Sequence, residues 1–225
     1  MFDYAIVWAT LPMLGKGAIL TLKLTAIIVV LGTVLALPLA LAKNSRSPFL
    51  HGPAHAYILF FRGTPSLVQV FLLYYGAGQF DLIQKSFLWP VLRDPFWCVV
   101  IALALNSASY TGKTLAAALA AVPRGVREAA FSLGLARYQS FITVDLPLAI
   151  RTALPAFGNE VILTCKATSL ASTVTLMELT GSARLLSSEN YAPYEVFLSA
   201  GFIYLAINYG LMFVMRRIEL SYRPN

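Results

Sequence analysis

Charged residues are scarce in this chain. Only 12% of its 225 residues are Asp, Glu, Lys or Arg, whereas 58% are hydrophobic, and the mean hydropathy is +0.72. A soluble domain carries about 25% charged residues, roughly twice the share seen here. The composition therefore excludes an ordinary water-soluble globule. It predicts an integral membrane protein whose helices pack together in lipid.

Cysteine and histidine are also rare. Cys98 and Cys165 both fall inside apolar runs, which is typical of small buried hydrophobes and not of a disulfide or a metal site. The only histidines are His51 and His55, near a short loop, where we expect both to be solvated. The chain thus lacks the Cys/His cluster that a structural metal centre needs.

Nucleotide-binding and catalytic motifs are missing. The sequence contains no phosphate-binding loop of the Gly-x4-Gly-Lys-Ser/Thr type and no Gly-x-Gly-x-x-Gly fingerprint. It also lacks a nucleophile elbow and a zinc signature, so no catalytic constellation supports a membrane enzyme. If the chain takes part in driven transport, the energy has to enter through a partner.

Five apolar stretches are long enough to cross a hydrocarbon core as helices. We therefore predict an all-α integral membrane protein with five transmembrane helices. A segment at 1–17, containing Tyr4, Trp8 and Met13, is predicted to lie at the membrane interface or to be a flexible terminus, and 218–225 to be a tail. A mixed-charge loop is expected at 81–94 and a polar loop at 177–194. The predicted spans are 18–42, 56–80, 96–122, 152–176 and 194–215.

The net charge of +7 is distributed unevenly between the predicted loops. Under the positive-inside rule, the side with more Lys and Arg is cytosolic. This places the C-terminus in the cytosol and the N-terminus in the periplasm, and it explains the basic balance without nucleic-acid binding. One side carries Lys43, Arg46, Arg62, Arg124, Arg127, Arg137, Arg151, Arg216, Arg217 and Arg223, and the other carries Lys16, Lys85, Arg93 and Arg184.

A polar island at 123–151 separates the third and fourth apolar stretches. We expect helices at about 126–133 and 136–143, with Gly134 in the left-handed conformation that ends the first of them. Leu146 and Pro147 are expected to break the chain before the next span. On these features alone, the island is as consistent with a solvated helical hairpin as with a surface for a cytosolic partner.

The spacing within this island resembles a known motif. The residues that carry the resemblance are Glu128, Ala129, Ala130, Gly134, Leu146 and Pro147, with Val144 where the motif has Ile. The pattern is similar to the EAA loop of bacterial ABC import permeases. The resemblance implies a type I ABC importer permease fold, in which this loop is the cytosolic coupling helix that docks on an ATPase subunit.

A second motif lies near the start of the second predicted span. Arg62, Gly63, Thr64 and Pro65, followed by Gln69, are similar to a hallmark of the polar amino-acid branch of these permeases. Gly63 and Pro65 interrupt the helix, and the freed backbone groups need protein partners or a cavity in a membrane. The alternative is a helix that starts at Pro65, with Arg62 at the lipid headgroups. The resemblance places Thr64 and Gln69 in the substrate pathway.

Polar side chains crowd the second half of the third predicted span. Asn106, Ser107 and Tyr110 are among them, and such a density of polar groups should not face lipid. Two interpretations remain open here. These side chains either form hydrogen bonds between helices or line a pathway. Lys113, in the same half, departs from relatives, which often carry an acidic residue near this position.

Glu160 and Lys166 are ionisable groups inside the fourth apolar stretch, which makes them candidate functional residues. They are six residues apart and do not face each other closely on a straight helix. One interpretation is a buried ion pair between subunits. The favoured interpretation is a zwitterionic substrate, with Glu160 holding an ammonium or guanidinium group and Lys166 a carboxylate.

Taken together, the motifs resemble those of an ABC permease for histidine, arginine or opines in the bacterial inner membrane. The resemblance implies a second homologous permease subunit, two ABC ATPase subunits, a periplasmic substrate-binding protein and membrane lipid as partners. It implies no cofactor in this chain, because ATP and Mg²⁺ would be bound by the ATPase. The alternatives are an ABC permease for another small polar solute and an ion-coupled carrier that uses Glu160.

Overall fold

The structure is a computed structural model, and it describes residues 3–222. Within these residues every regular element is helical. Short 3₁₀ segments follow two of the helices, at Ala77–Gln79 and Thr168–Val174, and a π-helical turn spans Phe141–Asp145. The α-helices in chain order are α1 (Tyr4–Lys43), α2 (Pro48–Gly63), α3 (Ser66–Gly76), α4 (Asp81–Gln84), α5 (Trp89–Leu92), α6 (Pro95–Ala120), α7 (Arg124–Ser132), α8 (Arg137–Ser140), α9 (Leu146–Ala167), α10 (Leu179–Asn190) and α11 (Pro193–Ser221).

Helix α1 has 40 residues, so its axis is about 60 Å long at ~1.5 Å per residue. Asp3 caps its start by accepting a hydrogen bond from the backbone N–H of Ala5 at 2.9 Å. Of the two predictions for 1–17, a flexible terminus is wrong for residues 4–17, and a position at the membrane interface stays a prediction. Residues 4–17 form the first part of α1, because buried Leu14 packs against α10 and α11 there. Residues 1 and 2 lie outside the described residues.

Three apolar cores lie along α1. At its start, Leu14 packs with Leu179 of α10 and Val196 of α11. In its middle, Leu24 and its neighbours pack with α3, α6 and the 3₁₀ segment after α9. At its end, Ala40 packs between the last turns of α6 and the first turns of α9. Helix α1 is therefore the element against which the other long helices are assembled.

The predicted second span is two helices joined at a sharp bend. Helix α2 begins at Pro48, earlier than the predicted start at residue 56, and it meets α3 at an angle of 100°. The bend lies at Thr64 and Pro65, as the Gly63–Pro65 interruption predicts. Pro65 has no N–H to donate and its φ is fixed near −62°, so the chain turns there and α3 starts at the next residue.

By length and composition, three helical segments in residues 3–222 could cross a membrane. They are Tyr4–Lys43, Arg137–Val174 and Pro193–Ser221, and the bent pair α2–α3 makes a fourth if it counts as one span. Helix α6 coincides with the predicted third span but is not among them, because polar side chains in its second half lower its hydropathy. The total of five spans stays a prediction.

The chain does not break at Leu146 and Pro147. Arg137–Val174 is one helical run in which the π-helical turn Phe141–Asp145 ends two residues before Pro147. At the end of this turn the N–H of Leu146 donates to the carbonyl of Phe141, five residues back. The wider turn accommodates the proline ring and its missing N–H without ending the helix, so the predicted break is wrong.

The predicted polar loop at 177–194 is also wrong, because most of it is the 12-residue helix α10. Glu178 caps this helix, and residues with positive φ bound it, Thr175 at 68° before it and Tyr191 at 51° after it. Helix α11 likewise continues beyond the predicted end at residue 215 and includes the first part of the predicted tail. Residues 223–225 lie outside the described residues.

Candidate functional site

A cavity of about 190 Å³ lies between α6 and α9, and we call it the polar cavity because five of its eight lining residues carry a polar group. Four of the predicted pathway residues meet in it, namely Asn106, Ser107 and Tyr110 from α6 and Glu160 from α9. Glu160 is the only ionisable carboxyl group in its lining, and its side chain is partly buried. The complete lining is Leu103, Asn106, Ser107, Tyr110, Glu160, Leu163, Thr164 and Ala167.

A larger and mostly apolar cavity of about 390 Å³ adjoins the polar one. The two share Tyr110, Glu160 and Leu163, and the larger one extends to Phe157 on α9 and Thr33 on α1. The carboxyl group of Glu160 therefore stands at the boundary between a polar and an apolar space. This arrangement suits a ligand with a cationic group on an aliphatic stem, because the charge finds an acceptor while the stem stays in apolar surroundings.

Lys166 does not join Glu160. It lies in the last turn of α9, its side chain is exposed, and it lines neither of these two cavities. A rigid helix places residues six apart on different faces and different turns. Within one chain, the structure therefore does not bring Lys166 and Glu160 to one ligand.

Thr64 and Gln69 lie at the bend between α2 and α3, and they line neither cavity. The side-chain amide of Gln69 donates to Thr64 Oγ1 at 2.7 Å and to the carbonyls of Phe61 and Thr64 at 3.0 and 3.1 Å. Asn106 of α6 donates to Gln69 Oε1 and to the carbonyl of Phe61, both at 3.0 Å. These bonds satisfy the backbone carbonyls that the bend exposes. Asn106 thus connects the bend to the polar cavity.

The remaining residues of the second motif shape the bend and its surroundings. Gly63 is the last residue of α2, and Pro65 is the residue before α3. The guanidinium of Arg62 lies over the ring of Tyr110, with 4.7 Å between its central carbon and the ring centroid. Such a cation–π contact leaves the N–H edges of the guanidinium free. Arg62 therefore packs on a residue of the Glu160 cavity.

The segment that matches the EAA pattern presents much of its surface outward. Glu128, Ala129 and Gly134 are exposed, whereas Ala130 is buried against the chain. Gly134 has φ +82°, which confirms the predicted left-handed residue after α7. Leu133 is 82% exposed, although it is apolar. The other two motif residues, Leu146 and Pro147, are the first residues of α9 and not part of this surface loop.

Two charged residues that sequence reasoning did not pair hold this segment in place. Arg127 Nε donates to Asp145 Oδ2 at 3.0 Å, and Arg127 Nη2 donates to the carbonyl of Leu119 at 2.7 Å. These bonds tie α7 to the last turns of α6 and to the π-helical turn before α9. The sequence did contain a signal for this pair. Asp145 is an acidic residue between Gly134 and Leu146 of the motif, and the charged residues nearby are mostly arginines.

Glu178 is a second residue that the sequence analysis passed over. Its side chain is fully buried and accepts hydrogen bonds from the N–H groups of Thr180 and Gly181 and from the hydroxyl of Tyr204, all at 2.9 Å. Burial raises the pKa of this carboxyl, although the donors around it act in the opposite direction. Because Tyr204 belongs to α11, Glu178 joins two helices as well as capping α10.

Comparison with known proteins gives these features a family context. The chain is 50% identical over 223 residues to the octopine transport system permease protein of Rhizobium radiobacter, covering 99% of this chain and 91% of that protein. It is 40% identical over 220 residues to the arginine ABC transporter permease protein of Escherichia coli K12, covering 97% and 96%. A crystal structure of an amino acid ABC transporter with histidines superposes with a TM-score of 0.86 at 32% identity, covering 98% of this chain and 99% of that one.

The family assignment is based on a match that covers most of the chain. Residues 28–224 match the family described as "Binding-protein-dependent transport system inner membrane component". The all-helical fold and the crystal structure with a TM-score of 0.86 agree with this match. The chain therefore belongs to the family of binding-protein-dependent transport system inner membrane components.

Proposed function

We propose that this chain is the transmembrane permease subunit of an ATP-driven ABC importer and that it passes a cationic amino acid or an opine across the inner membrane. The substrate class is taken from the octopine and arginine permeases to which the chain is similar. Both of those solutes carry a guanidinium group. The second permease, the two ATPase subunits that bind ATP and Mg²⁺, and the periplasmic binding protein are part of this proposal.

The observation that carries the substrate class is the position of Glu160. Its carboxyl group stands between the polar cavity and the apolar cavity, among the side chains of Asn106, Ser107 and Tyr110. A carboxylate in low-dielectric surroundings attracts a cation more strongly than it would in water. Glu160 therefore holds the guanidinium or ammonium group while the aliphatic stem lies along Phe157 and Leu163.

The coupling part of the proposal rests on the EAA segment. Its outward surface carries Glu128, Ala129 and the apolar side chain of Leu133, which has no partner surface within the described residues. An exposed apolar residue beside small residues suits close docking of another protein. The ATPase binds here on the cytosolic side. With the predicted five spans, the N-terminus is periplasmic and the C-terminus cytosolic. Closure of the ATPase dimer moves this segment, and the side of the membrane from which the cavities are accessible then changes.

The test combines assembly, hydrolysis and uptake. The chain is purified in mild detergent with its co-purifying subunits, and ATP hydrolysis is measured with arginine-loaded or octopine-loaded binding protein. Glu160→Gln should reduce uptake of the labelled solute at least tenfold, while co-purification and basal hydrolysis persist. Glu189→Gln is the matched control, because Glu189 is exposed and lines neither cavity.

Each other outcome counts against a specific part of the proposal. Unchanged uptake kinetics in Glu160→Gln would remove the substrate role of this residue. Stimulation by a binding protein loaded with an uncharged solute would assign a different small polar substrate. Uptake that continues without the ATPase and follows an ion gradient would replace the ABC mechanism with an ion-coupled carrier.

A further inference from the structure

A third cavity, of about 370 Å³, lies between the end of α1, helix α2 and the middle of α6. We call it the basic cavity, because half of its lining residues are Lys, Arg or His and none is Asp or Glu. The lining consists of Lys43, His55, Ile58, Leu59, Arg62, Gly63, Tyr110 and Lys113. No motif, family match or proposed role described above accounts for this concentration of cationic groups.

Two histidines fix the position of the Lys43 ammonium group. Lys43 Nζ lies 2.6 Å from His55 Nδ1 and 3.5 Å from His51 Nε2, while His51 Nδ1 lies 2.7 Å from the carbonyl oxygen of Lys43. A carbonyl only accepts, so His51 Nδ1 donates and its Nε2 is left to accept from Lys43. An ammonium only donates, so His55 Nδ1 accepts as well. Both histidines are exposed, as the sequence predicted, and they also contact Lys43.

This arrangement leaves donors available for a ligand. Lys43 has three N–H groups and uses two of them on the histidines. Because His55 Nδ1 accepts, the ring proton sits on His55 Nε2, which becomes another donor. The Arg62 guanidinium lies over the Tyr110 ring and forms no hydrogen bond or ion pair within residues 3–222, although Glu160 is near enough to attract it. Lys113 is exposed and forms no ion pair within residues 3–222.

Arg62 and Lys113 are exposed, Lys43 is half-buried, and cationic groups that line one cavity with no carboxylate in its lining repel one another. A bound anion removes this penalty and accepts hydrogen bonds from several donors at once. Guanidinium and ammonium groups together suit an oxyanion, whose oxygens accept in several directions. We propose that the basic cavity binds an oxyanion, a carboxylate or a phosphate group, through Lys43, Arg62 and Lys113.

Two sources could supply this oxyanion chemistry. Tyr110 lines the basic cavity and both cavities that contain Glu160, so the basic cavity is next to the cavities of that carboxyl group. The carboxylate of a transported amino acid is one source, and this case rests on the proposed function. The phosphate of an anionic lipid is the other, since the cavity lies near the end of α1 that is predicted to face the cytosolic leaflet.

The test measures ligand stabilisation of the purified full-length chain in mild detergent. Thermal unfolding is followed with dioleoyl phosphatidylglycerol against dioleoyl phosphatidylcholine, and with arginine against its decarboxylated analogue agmatine. A ligand that binds only the folded state raises the unfolding midpoint in proportion to its affinity. Lys113→Gln and Arg62→Gln should each reduce the affinity for the anionic probe at least tenfold. Lys85→Gln and Arg46→Gln are matched controls that line none of these cavities.

The two arms identify the source. Stabilisation by phosphatidylglycerol but not by zwitterionic phosphatidylcholine, lost in both variants and kept in both controls, assigns the headgroup phosphate of an anionic lipid. Stabilisation by arginine beyond agmatine, lost in the same way, assigns the substrate carboxylate. Lys113→Arg keeps the charge and should keep the binding, which separates a charge effect from misfolding.

The proposal is overturned if no anionic probe stabilises the wild-type chain more than its neutral or decarboxylated counterpart. It is also overturned if Lys113→Gln and Arg62→Gln respond as the controls do. Neither result bears on the uptake experiment with Glu160→Gln, because that experiment reads transport and leaves the basic cavity intact. Failure of the oxyanion site and failure of the proposed function are therefore distinguishable.

Discussion

Arg127 Nε and Asp145 Oδ2 lie 3.0 Å apart and join α7 to the π-helical turn before α9. The same arginine reaches the carbonyl of Leu119 near the end of α6. The pair is only partly exposed, with side-chain exposures of 34% for Arg127 and 14% for Asp145. One guanidinium therefore links the outward-facing EAA segment to α6 and to the turn before α9. A movement of the EAA segment would be passed through Arg127 to these two helices, which enclose the polar cavity.

Breaking this link should separate hydrolysis from transport. Arg127→Gln removes a charge-assisted hydrogen bond of about 1.5–3 kcal/mol and leaves Asp145 without its partner. We expect ATP hydrolysis by the assembled complex to continue while uptake falls several-fold. Arg124→Gln, an exposed change on the same helix, serves as the control. The double reversal Arg127→Asp with Asp145→Arg should recover part of the loss, and equal uptake in all variants would argue against the link.

Gly134 provides a test of backbone conformation in the EAA segment. Its φ is +82°, and an added Cβ would meet no atom within 4 Å, so a substitution here changes conformational preference and not packing. Gly134→Val should cost ~1–2 kcal/mol for the left-handed residue and should uncouple hydrolysis from uptake. Gly134→Asn should be milder because Asn tolerates this region. Coupled transport in both variants would show that the turn is not needed.

The bend between α2 and α3 depends on Gln69. Gln69→Leu removes the donor to Phe61 and Thr64 and the acceptor for Asn106, and it leaves polar groups unpaired in the interior. Each such group costs about 1–3 kcal/mol, so the unfolding midpoint in detergent should fall clearly. Leu72→Gln is the reverse change on an exposed face of α3. A midpoint for Gln69→Leu equal to that of wild type would contradict the role of this network.

The contact between α1 and α10 requires glycine at residue 17. An added Cβ there would lie 3.0 Å from the backbone of both Glu178 and Leu179 and 2.7 Å from Ser182 Oγ. Gly17→Ala should therefore destabilise the chain by ~1–3 kcal/mol, as overpacking does. Gly15→Ala, two residues earlier in the same helix, meets open space and should be neutral or stabilising by about 0.5–1 kcal/mol. Equal unfolding midpoints for the two variants would contradict the close approach.

Glu178 predicts a pH dependence of stability. Because burial raises its pKa, the folded state keeps the proton to higher pH than the unfolded state does. The free energy of unfolding should thus fall as pH rises from the ordinary carboxyl range through the raised pKa. Glu178→Gln removes this titration, so its unfolding midpoint should change less with pH over that range. Parallel pH profiles for the two proteins would show that Glu178 does not contribute.

The sequence predicted those features of the fold that depend on local hydropathy and on the backbone preferences of single residues. Helices α6 and α11, the left-handed Gly134 and the interruption at Gly63–Pro65 all follow from apolar runs or from residues with restricted or unusual φ. The polar half of α6 was predicted either to form hydrogen bonds between helices or to line a pathway, and Asn106, Ser107 and Tyr110 do line one cavity with Glu160. Polar residues in apolar helices turn toward one another or toward water, and the pathway itself stays a prediction.

The failures share a different cause, which is tertiary contact. Helix α10 was predicted to be a loop because its sequence is polar, but Glu178 caps it and α1 covers its apolar face. Pro147 was predicted to end a helix, but the π-helical turn before it accommodates the ring. Glu160 and Lys166 were predicted to hold one zwitterionic substrate, but within one chain Lys166 is exposed in the last turn of α9 and lines neither cavity that contains Glu160. The basic cavity was missed because its cations come from three separate helices.

Helix α1 is continuous from Tyr4 to Lys43, so the directions in which its side chains point are fixed relative to one another along its whole length. Gly17 faces α10 near one end, whereas Gly32 faces Ser107 of α6 further along. Inserting a single residue between these glycines would rotate one contact by about 100° relative to the other. The contacts of α1 with α10 and with α6 therefore keep a fixed angle to each other around the helix axis. A rotation imposed where α10 meets α1 has to appear as a rotation at the face that packs against the polar half of α6.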